Sequence, residues 1–192
     1  MQASLFNEPE KEKRETIADI NSELLEKGEI LFPNRVFIFG MGNEKARAVL
    51  VGESPGPPDD IKGEPFSGPA GDMLFKMIAS IGLSRGQCYF TNIVKYMSQG
   101  DEITSATMKF FTPYLVREIQ AIDPELIVSM GNSPTRGLLG TKKPISQLRG
   151  QFHEAAGYPL LATFNPAYLL RDPTKKREAW EDMKMIRDFL KL

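Results

Sequence analysis

The sequence predicts an α/β fold: a single three-layer domain with a short, mostly parallel central sheet flanked by helices. Two observations carry that prediction. Short, almost purely apolar runs recur at Ala48–Gly52, Cys88–Val94, Leu126–Met130 and Leu160–Phe164, and strands apolar on both faces belong to a sheet covered on both sides. Between them lie stretches whose apolar residues fall three or four apart, the period of a helix with one buried face. The alternation of the two is the pattern of a parallel sheet with crossover helices. The 192 residues, 41% hydrophobic and 26% charged, suit one domain with its own core.

Residues 1–14 are polar and charged and read as a mobile N-terminus, with the domain spanning 15–192. Ile17, Ile20, Leu24 and Leu25 then mark a helix that Gly28 and Pro33 should end. Val36–Gly40 and Ala48–Gly52 read as strands separated by a turn at Met41-Gly42-Asn43. Gly52 to Gly71 is rich in Gly and Pro without periodicity, and a long loop in a compact domain is usually functional. A helix begins at Pro69, with Gly68 as its N-cap, and buries Met73, Met77, Ile78 and Ile81. Cys88–Val94 is a buried strand. Thr104–Ile122 is a helix with Met108, Phe111, Leu115, Ile119 and Ile122 on one face and Pro113 in or near a strained early turn. Leu126–Met130 and Leu160–Phe164 are further buried strands. A last helix starts near Thr174 and turns Trp180, Met183, Ile186 and Phe189 or Leu190 inward.

Composition narrows the chemistry. No apolar run approaches the ~18 residues of a membrane span, and the N-terminus lacks the apolar segment of a secretory signal, so a cytoplasmic protein is expected. The net charge is −1, which argues against a generally basic nucleic-acid-binding surface but leaves room for a local patch. The compact basic run is Lys175, Lys176 and Arg177, with Arg171 before it; a solvated helix start is the competing explanation. The chain has one Cys and one His, too few for a Cys/His zinc site or for an iron–sulfur cluster with its four protein ligands.

In parallel sheets, ligands sit outside the carboxyl ends of the strands. Those ends carry Gly52-Glu53-Ser54-Pro55-Gly56, Asn92, Gly131-Asn132-Ser133 and Asn165-Pro166. Small and polar residues therefore gather along one edge of the predicted sheet.

Several of these segments resemble family-four uracil-DNA glycosylases, in the family's order. Gly52-Glu53-Ser54-Pro55-Gly56 resembles the GEAPG loop after the first core strand. Gly63-Glu64-Pro65-Phe66-Ser67-Gly68-Pro69-Ala70-Gly71 resembles the G-x-PFVG-x-AG segment. Phe90-Thr91-Asn92-Ile93-Val94-Lys95 resembles the strand that ends in a base-reading Asn. Leu148-Arg149-Gly150 matches a family LRG, and Asn165-Pro166-Ala167-Tyr168-Leu169-Leu170-Arg171 resembles the HPSYLLR loop. The resemblance covers roughly residues 36–190. It implies a glycosylase-like fold and a DNA glycosylase that removes uracil or a related deaminated base in base-excision repair. DNA would be the partner, and the protein would act as a monomer.

Two departures stand out. The family's four-iron cluster takes a Cys after the Asn-x-x-Lys and another before Pro-Tyr-Leu, where this chain has Tyr96 and Phe111. The N-terminal cysteine pair is missing too. The cluster is therefore expected to be absent, with no cofactor in its place, and Cys88 to be a buried core thiol. The second departure is Asn165, where the family carries His.

A glycosylase must flip its base out of the stack, at a cost of a few kcal/mol, and then hold it while charge builds on the base and the sugar. Phe66 is the candidate stacking platform, with loop packing as the alternative. Asn92 is the candidate base reader, because an amide offers the donor and acceptor that match uracil N3–H and O4; a strand-end cap is the alternative. Glu53 is the candidate to activate water or balance the sugar's positive charge, or it is a loop carboxylate capping backbone N–H groups. Ser54, grouped with the base-binding residues, stands where the archetypal enzymes of the superfamily carry Asp. The resemblance gives the family His the task of donating to uracil O2, and the Asn165 amide can donate to the same atom. A changed base choice or a lapsed site are the other readings of Asn165. His153 is expected at the surface.

Leu169 and Leu170 are candidate wedges for the gap left by the flipped base, core packing being the alternative. Arg171 would meet a phosphate, and Pro55, Pro57 and Pro58 would press on the DNA backbone. Gly131, Asn132 and Ser133, at a strand end and helix start, suit a phosphate through backbone N–H groups, as does the helix start at Pro69. The competing functions are a non-catalytic member that binds DNA or a damaged base, and a small-molecule hydrolase on the same scaffold. A variant that links covalently to DNA through a loop His is not expected, because residues 96–100 contain none.

Overall fold

The computed structural model describes residues 15–97 and 103–192; the expectation of a mobile segment at 1–14 lies outside them, as do residues 98–100 of the loop checked for a His. The sheet has six strands. In chain order they are β1 (Met41–Gly42), β2 (Ala48–Gly52), β3 (Cys88–Asn92), β4 (Leu126–Met130), β5 (Phe152–Ala155) and β6 (Tyr158–Thr163). Their spatial order is β1-β3-β2-β4-β6-β5. The four middle strands are mutually parallel and the two edge strands antiparallel to their neighbours.

Helices cover both faces. On one, α1 (Ile17–Leu31) and α4 (Ser105–Ile122) pack Ile20, Leu24, Phe111, Leu115 and Ile119 onto Val49, Val51, Tyr89 and Ile127. On the other, α3 (Pro69–Ser80) and α8 (Lys176–Leu190) pack Leu74, Ile78, Met183, Ile186 and Leu190 onto Leu50, Phe90, Val128 and Leu161. Successive strand residues point to opposite faces, so uniformly apolar strands feed both layers. Shorter helices α2 (Pro57–Lys62), α5 (Asn132–Leu139), α6 (Ile145–Leu148) and α7 (Pro166–Arg171) build the loops.

Several elements differ from expectation. Gly28 does not end α1. A Cβ there would lie 2.6 Å from the Phe37 ring, so this glycine admits an aromatic neighbour mid-helix. Leu25 is 37% exposed and off the buried stripe. Val36–Gly40 is not a strand; the expected turn supplies β1 instead, because Gly42 at φ +132° lets the backbone reach Cys88 O. The edge strand β5 was not anticipated. Its outer residues are exposed, and it joins β6 through Ala156-Gly157, both at positive φ, the geometry of a tight hairpin.

The long loop contains α2, whose Pro57 and Pro58 suit a first turn. In α3 the buried stripe is Leu74 and Ile78, continued by Ile81 just past its end, with Met73 and Met77 only half-buried. Pro113 lies well inside α4, not in an early turn, and on its exposed side, where water can serve the carbonyl left without a donor. In α8 the buried stripe runs through Ala179, Met183, Ile186 and Leu190, while Trp180 and Phe189 stay 42% and 38% exposed.

Two buried polar networks brace the sheet. Lys95 and Glu118, each 1% exposed, form a 2.6 Å ion pair on which the hydroxyls of Thr91 and Tyr89 also converge. Arg149, from the LRG segment, grips buried Asp182 of α8 through Nε and Nη2, and Thr163 at the end of β6 donates to the same carboxylate at 2.7 Å. Burial is the main force on the Asp182 carboxyl and raises its pKa. No helix among the described residues is long and apolar enough to cross a membrane.

Candidate active site

The chain leaves β2 toward β3 on one side and β4 toward β6 on the other. The point where strand order reverses therefore falls between β2 and β4, where crevices open in such sheets. Glu53 follows β2 and Gly131-Asn132-Ser133 follow β4. Ser133 Oγ donates to Glu53 Oε2 at 2.7 Å across that point. A cleft of about 580 Å³ opens beside them, and Glu53, Ser54, Pro55, Gly131, Asn132, Asn165 and Arg171 all line it. The strand-end residues named from sequence thus converge, with exceptions given below.

Phe66 and Asn92 meet over Gly52 and are not among the residues that line this cleft. A Cβ on Gly52 would lie 2.3 Å from Asn92 Oδ1 and 2.8 Å from the Phe66 ring. Only a residue without a side chain leaves room for both. Asn92 is 3% exposed and its side-chain amide bonds to no other described residue; since no buried polar side-chain atom among them lacks a partner, the polar atoms of this amide are still reached by solvent.

Phe66 adopts φ +59°, a left-handed conformation that a bulky residue rarely takes. Three contacts hold it there. Its ring packs edge-on against Phe90 at 6.2 Å. Its carbonyl sits where any Cβ on Gly71 would be, 1.8 Å away. Asp59, 8% exposed, accepts the N–H groups of Gly56 and Ser67 at 2.9 and 2.6 Å and so ties the start of α2 to the residue after Phe66. Sequence reasoning missed Asp59. Its signal was a carboxylate three residues past Gly56, placed to cap a helix.

Asn165 is the N-cap of α7. Its Oδ1 accepts the Ala167 N–H at 2.8 Å, which leaves the Nδ2 donor pair without a partner among the described residues. Gly131, at φ +101°, passes so close that a Cβ there would lie 3.2 Å from Asn165 Cβ. The cap fixes which end of the amide stays available.

Other expectations need correction. Leu169 is 0% exposed, packed with Phe164 and Ala179, and as placed cannot enter a base stack; the exposed neighbour is Leu170, at 45%. Pro55 is buried and forms cleft wall, while Pro57 and Pro58 are exposed. The Asn132 side chain is already engaged, accepting the Ile145 N–H at 2.8 Å. His153 lies half-buried on edge strand β5, its Nε2 2.7 Å from the Leu148 carbonyl oxygen, away from the cleft. Of the basic run, Lys175 pairs with Glu178 at 2.7 Å and also lines the cleft.

The family model described as the uracil DNA glycosylase superfamily matches residues 39–184. The chain belongs to the uracil-DNA glycosylase superfamily. It is 36% identical to the Type-4 uracil-DNA glycosylase of Archaeoglobus fulgidus over 159 residues, covering 78% of this chain and 80% of that one. It is 34% identical to the Saccharolobus solfataricus Type-4 enzyme, covering 79% and 74%. The Type-4 enzyme of Thermotoga maritima is 32% identical over 186 residues, 93% of this chain and 97% of the relative.

Against that family background, the residues do not fit an iron–sulfur cluster. Tyr96 and Phe111, where the resemblance puts two ligands, face each other with ring centroids 5.8 Å apart. Phe32 packs 5.1 Å from the Tyr96 ring and 5.4 Å from the Phe111 ring. Among the described residues no group of three His, Cys, Asp or Glu could hold a metal ion. Cys88 is fully buried on β3, and burial pushes its thiol up to about 12, far from the thiolate that metal ligation requires.

Proposed function

We propose that this superfamily member is a DNA glycosylase of base-excision repair that hydrolyses the N-glycosidic bond of uracil, or of a related deaminated base, without a metal cluster. The observation that carries the reading is the Asn92 amide, set beside the Phe66 ring over Gly52, bonded to no described residue and with its polar atoms open to solvent. An extruded uracil would stack on Phe66 and give Asn92 its N3–H and O4 edge. Asn165 Nδ2 would donate to O2, where negative charge gathers as the bond to N1 lengthens. Glu53, steadied by Ser133, would face the sugar. There it orients the water that adds at C1′ and offsets the positive charge of the sugar. Exposed Leu170 would fill the vacated stack and Arg171 would meet a phosphate. The protein would work as a cytoplasmic monomer.

Asn165 favours one rival, a member that binds damaged DNA without cleaving it. Release of free uracil from a single-stranded and a G-mispaired oligonucleotide separates the two. The glycosylase reading expects release by the wild type and a loss of at least about 10²-fold in Asn92→Ala. Release only after Asn165→His would favour the binding rival. Salt-dependent DNA binding with silence from all three proteins would do the same.

A further inference from the structure

A second cleft, of about 730 Å³, lies between the first half of α4 and α5. Three exposed cations line it: Lys109, Arg136 and Lys142. None of the three has a carboxylate partner among the described residues, which is also true of the neighbouring Lys143 and of Arg171, Lys176 and Arg177, whereas Lys27, Arg47, Lys62, Arg117, Arg149 and Lys184 are paired. The sequence explains the contrast. No Asp or Glu occurs from Ile103 to Arg117 or from Leu126 to His153, although the chain's net charge is −1. The acidic pair Asp101 and Glu102 precedes Ile103 in sequence and lies outside the described residues. The rest of the wall is mixed, with apolar Ile103, Met108 and Pro113 beside the hydroxyls of Ser105, Thr112 and Thr141.

The place of this cleft matters as much as its charge. Ser133 lines it and also donates to Glu53, which lines the candidate active site. The two clefts therefore meet at the Ser133–Glu53 bond. Unpaired cations in a concave wall focus a field that attracts polyanions, and the apolar part of the wall suits sugars or an unstacked base.

We propose that the α4–α5 cleft is the track for the DNA strand that carries the target base, holding the phosphates on one side of the flipped nucleotide. The proposal rests on the glycosylase reading above and adds a binding site to it. Lys109, Arg136 and Lys142 would each meet the backbone, so the site would read no sequence.

The test uses three single-stranded oligonucleotides: uracil with both flanks, with the 5′ flank cut to one nucleotide, and with the 3′ flank cut to one nucleotide. The wild type should lose kcat/KM on cutting one flank far more than the other. The Lys109→Gln/Arg136→Gln/Lys142→Gln protein should be weaker on the two substrates that keep the favoured flank and equal to wild type on the one that lacks it. Its log–log salt slope of binding should be shallower by about 2, at roughly 0.7 for each phosphate no longer neutralised. Arg136 Nε also donates to Lys143 O at 3.2 Å. The Lys109→Gln/Lys142→Gln protein therefore repeats the test with that bond intact, and Lys109→Arg/Lys142→Arg should restore binding. Equal loss on all three substrates, or an unchanged salt slope, overturns the proposal. If wild type releases no uracil, the glycosylase reading fails alone. Fluorescence anisotropy on the same oligonucleotides then decides the track, a shallower slope on one flank upholding it and an unchanged slope rejecting it.

Discussion

Asn165→Asp and Asn165→Ala separate the two ends of one amide. In the structure Oδ1 caps α7 through the Ala167 N–H at 2.8 Å, and Nδ2 is left to donate. Asp keeps the cap oxygen and sets a negative charge at a helix start, where it is welcome. Its stability should stay within about 0.5 kcal/mol of wild type. It loses the donor, however, and turns an anionic oxygen toward a base that is itself becoming anionic. Loss of one such donor costs about 10²–10³ in rate, or roughly 2.7–4 kcal/mol. Ala loses both ends. It should fall as far in rate and also lose about 1 kcal/mol of stability, a drop of roughly 2–4 °C in Tm for a domain of this size. Single-turnover uracil release with enzyme in excess reports the donor, and thermal unfolding followed by circular dichroism reports the cap. An Asn165→Asp protein within fivefold of wild type would refute the donor role. An Asn165→Ala protein with unchanged Tm would refute the cap.

Three other interactions yield predictions of their own. Ser133→Ala removes the 2.7 Å bond to Glu53 and should lower kcat about tenfold or more through loss of orientation while KM holds; steady-state kinetics that show only a KM change would contradict it. Lys95→Met leaves Glu118 charged and 1% exposed, which should cost about 3–5 kcal/mol in urea unfolding, with much of it recovered when Glu118→Leu is added. Cys88, its thiol pushed up to about 12 by burial, should ignore a thiol reagent at pH 8 in the native protein and react once unfolded. Because the folded pKa lies above the ordinary thiol value of about 8.5, its contribution to stability is complete below that pH. It is lost as pH rises toward 12, a trend that Cys88→Ala should lessen, leaving the part that buried Tyr89, also raised, contributes above pH ~10.

The core strands were legible because β2, β3, β4 and β6 are apolar on both faces. The edge strands were not. β1 is two residues long and sits in a Gly turn, and β5 alternates exposed and half-buried residues too briefly to register. The stripe of α8 was legible at Met183, Ile186 and Leu190 and wrong only at its start, because Ala179 is small and Trp180 large, and hydrophobicity alone favours the larger side chain. The same one-residue ambiguity on a six-residue helix, α7, left both Leu169 and Leu170 as candidate wedges, of which only Leu170 is exposed.

Individual candidate residues could be named because most of them end a strand or sit in a Gly/Pro loop. Their mutual arrangement could not, since it depends on the meeting of distant segments. Ser133 and Glu53 are 80 residues apart and Arg149 and Asp182 are 33 apart. Nothing local marks either pair. The close approach of Asn92 and Phe66 over Gly52 likewise appears only once β2 and β3 lie side by side.

The central claim is uracil excision by Asn92, Phe66, Glu53 and Asn165 without a metal. Its most direct test measures bound iron and uracil release on one preparation of the full chain, before and after prolonged chelation. The account predicts no stoichiometric iron, no visible absorbance from a cluster, and equal release of uracil in both samples. Stoichiometric iron whose removal abolishes release would contradict it.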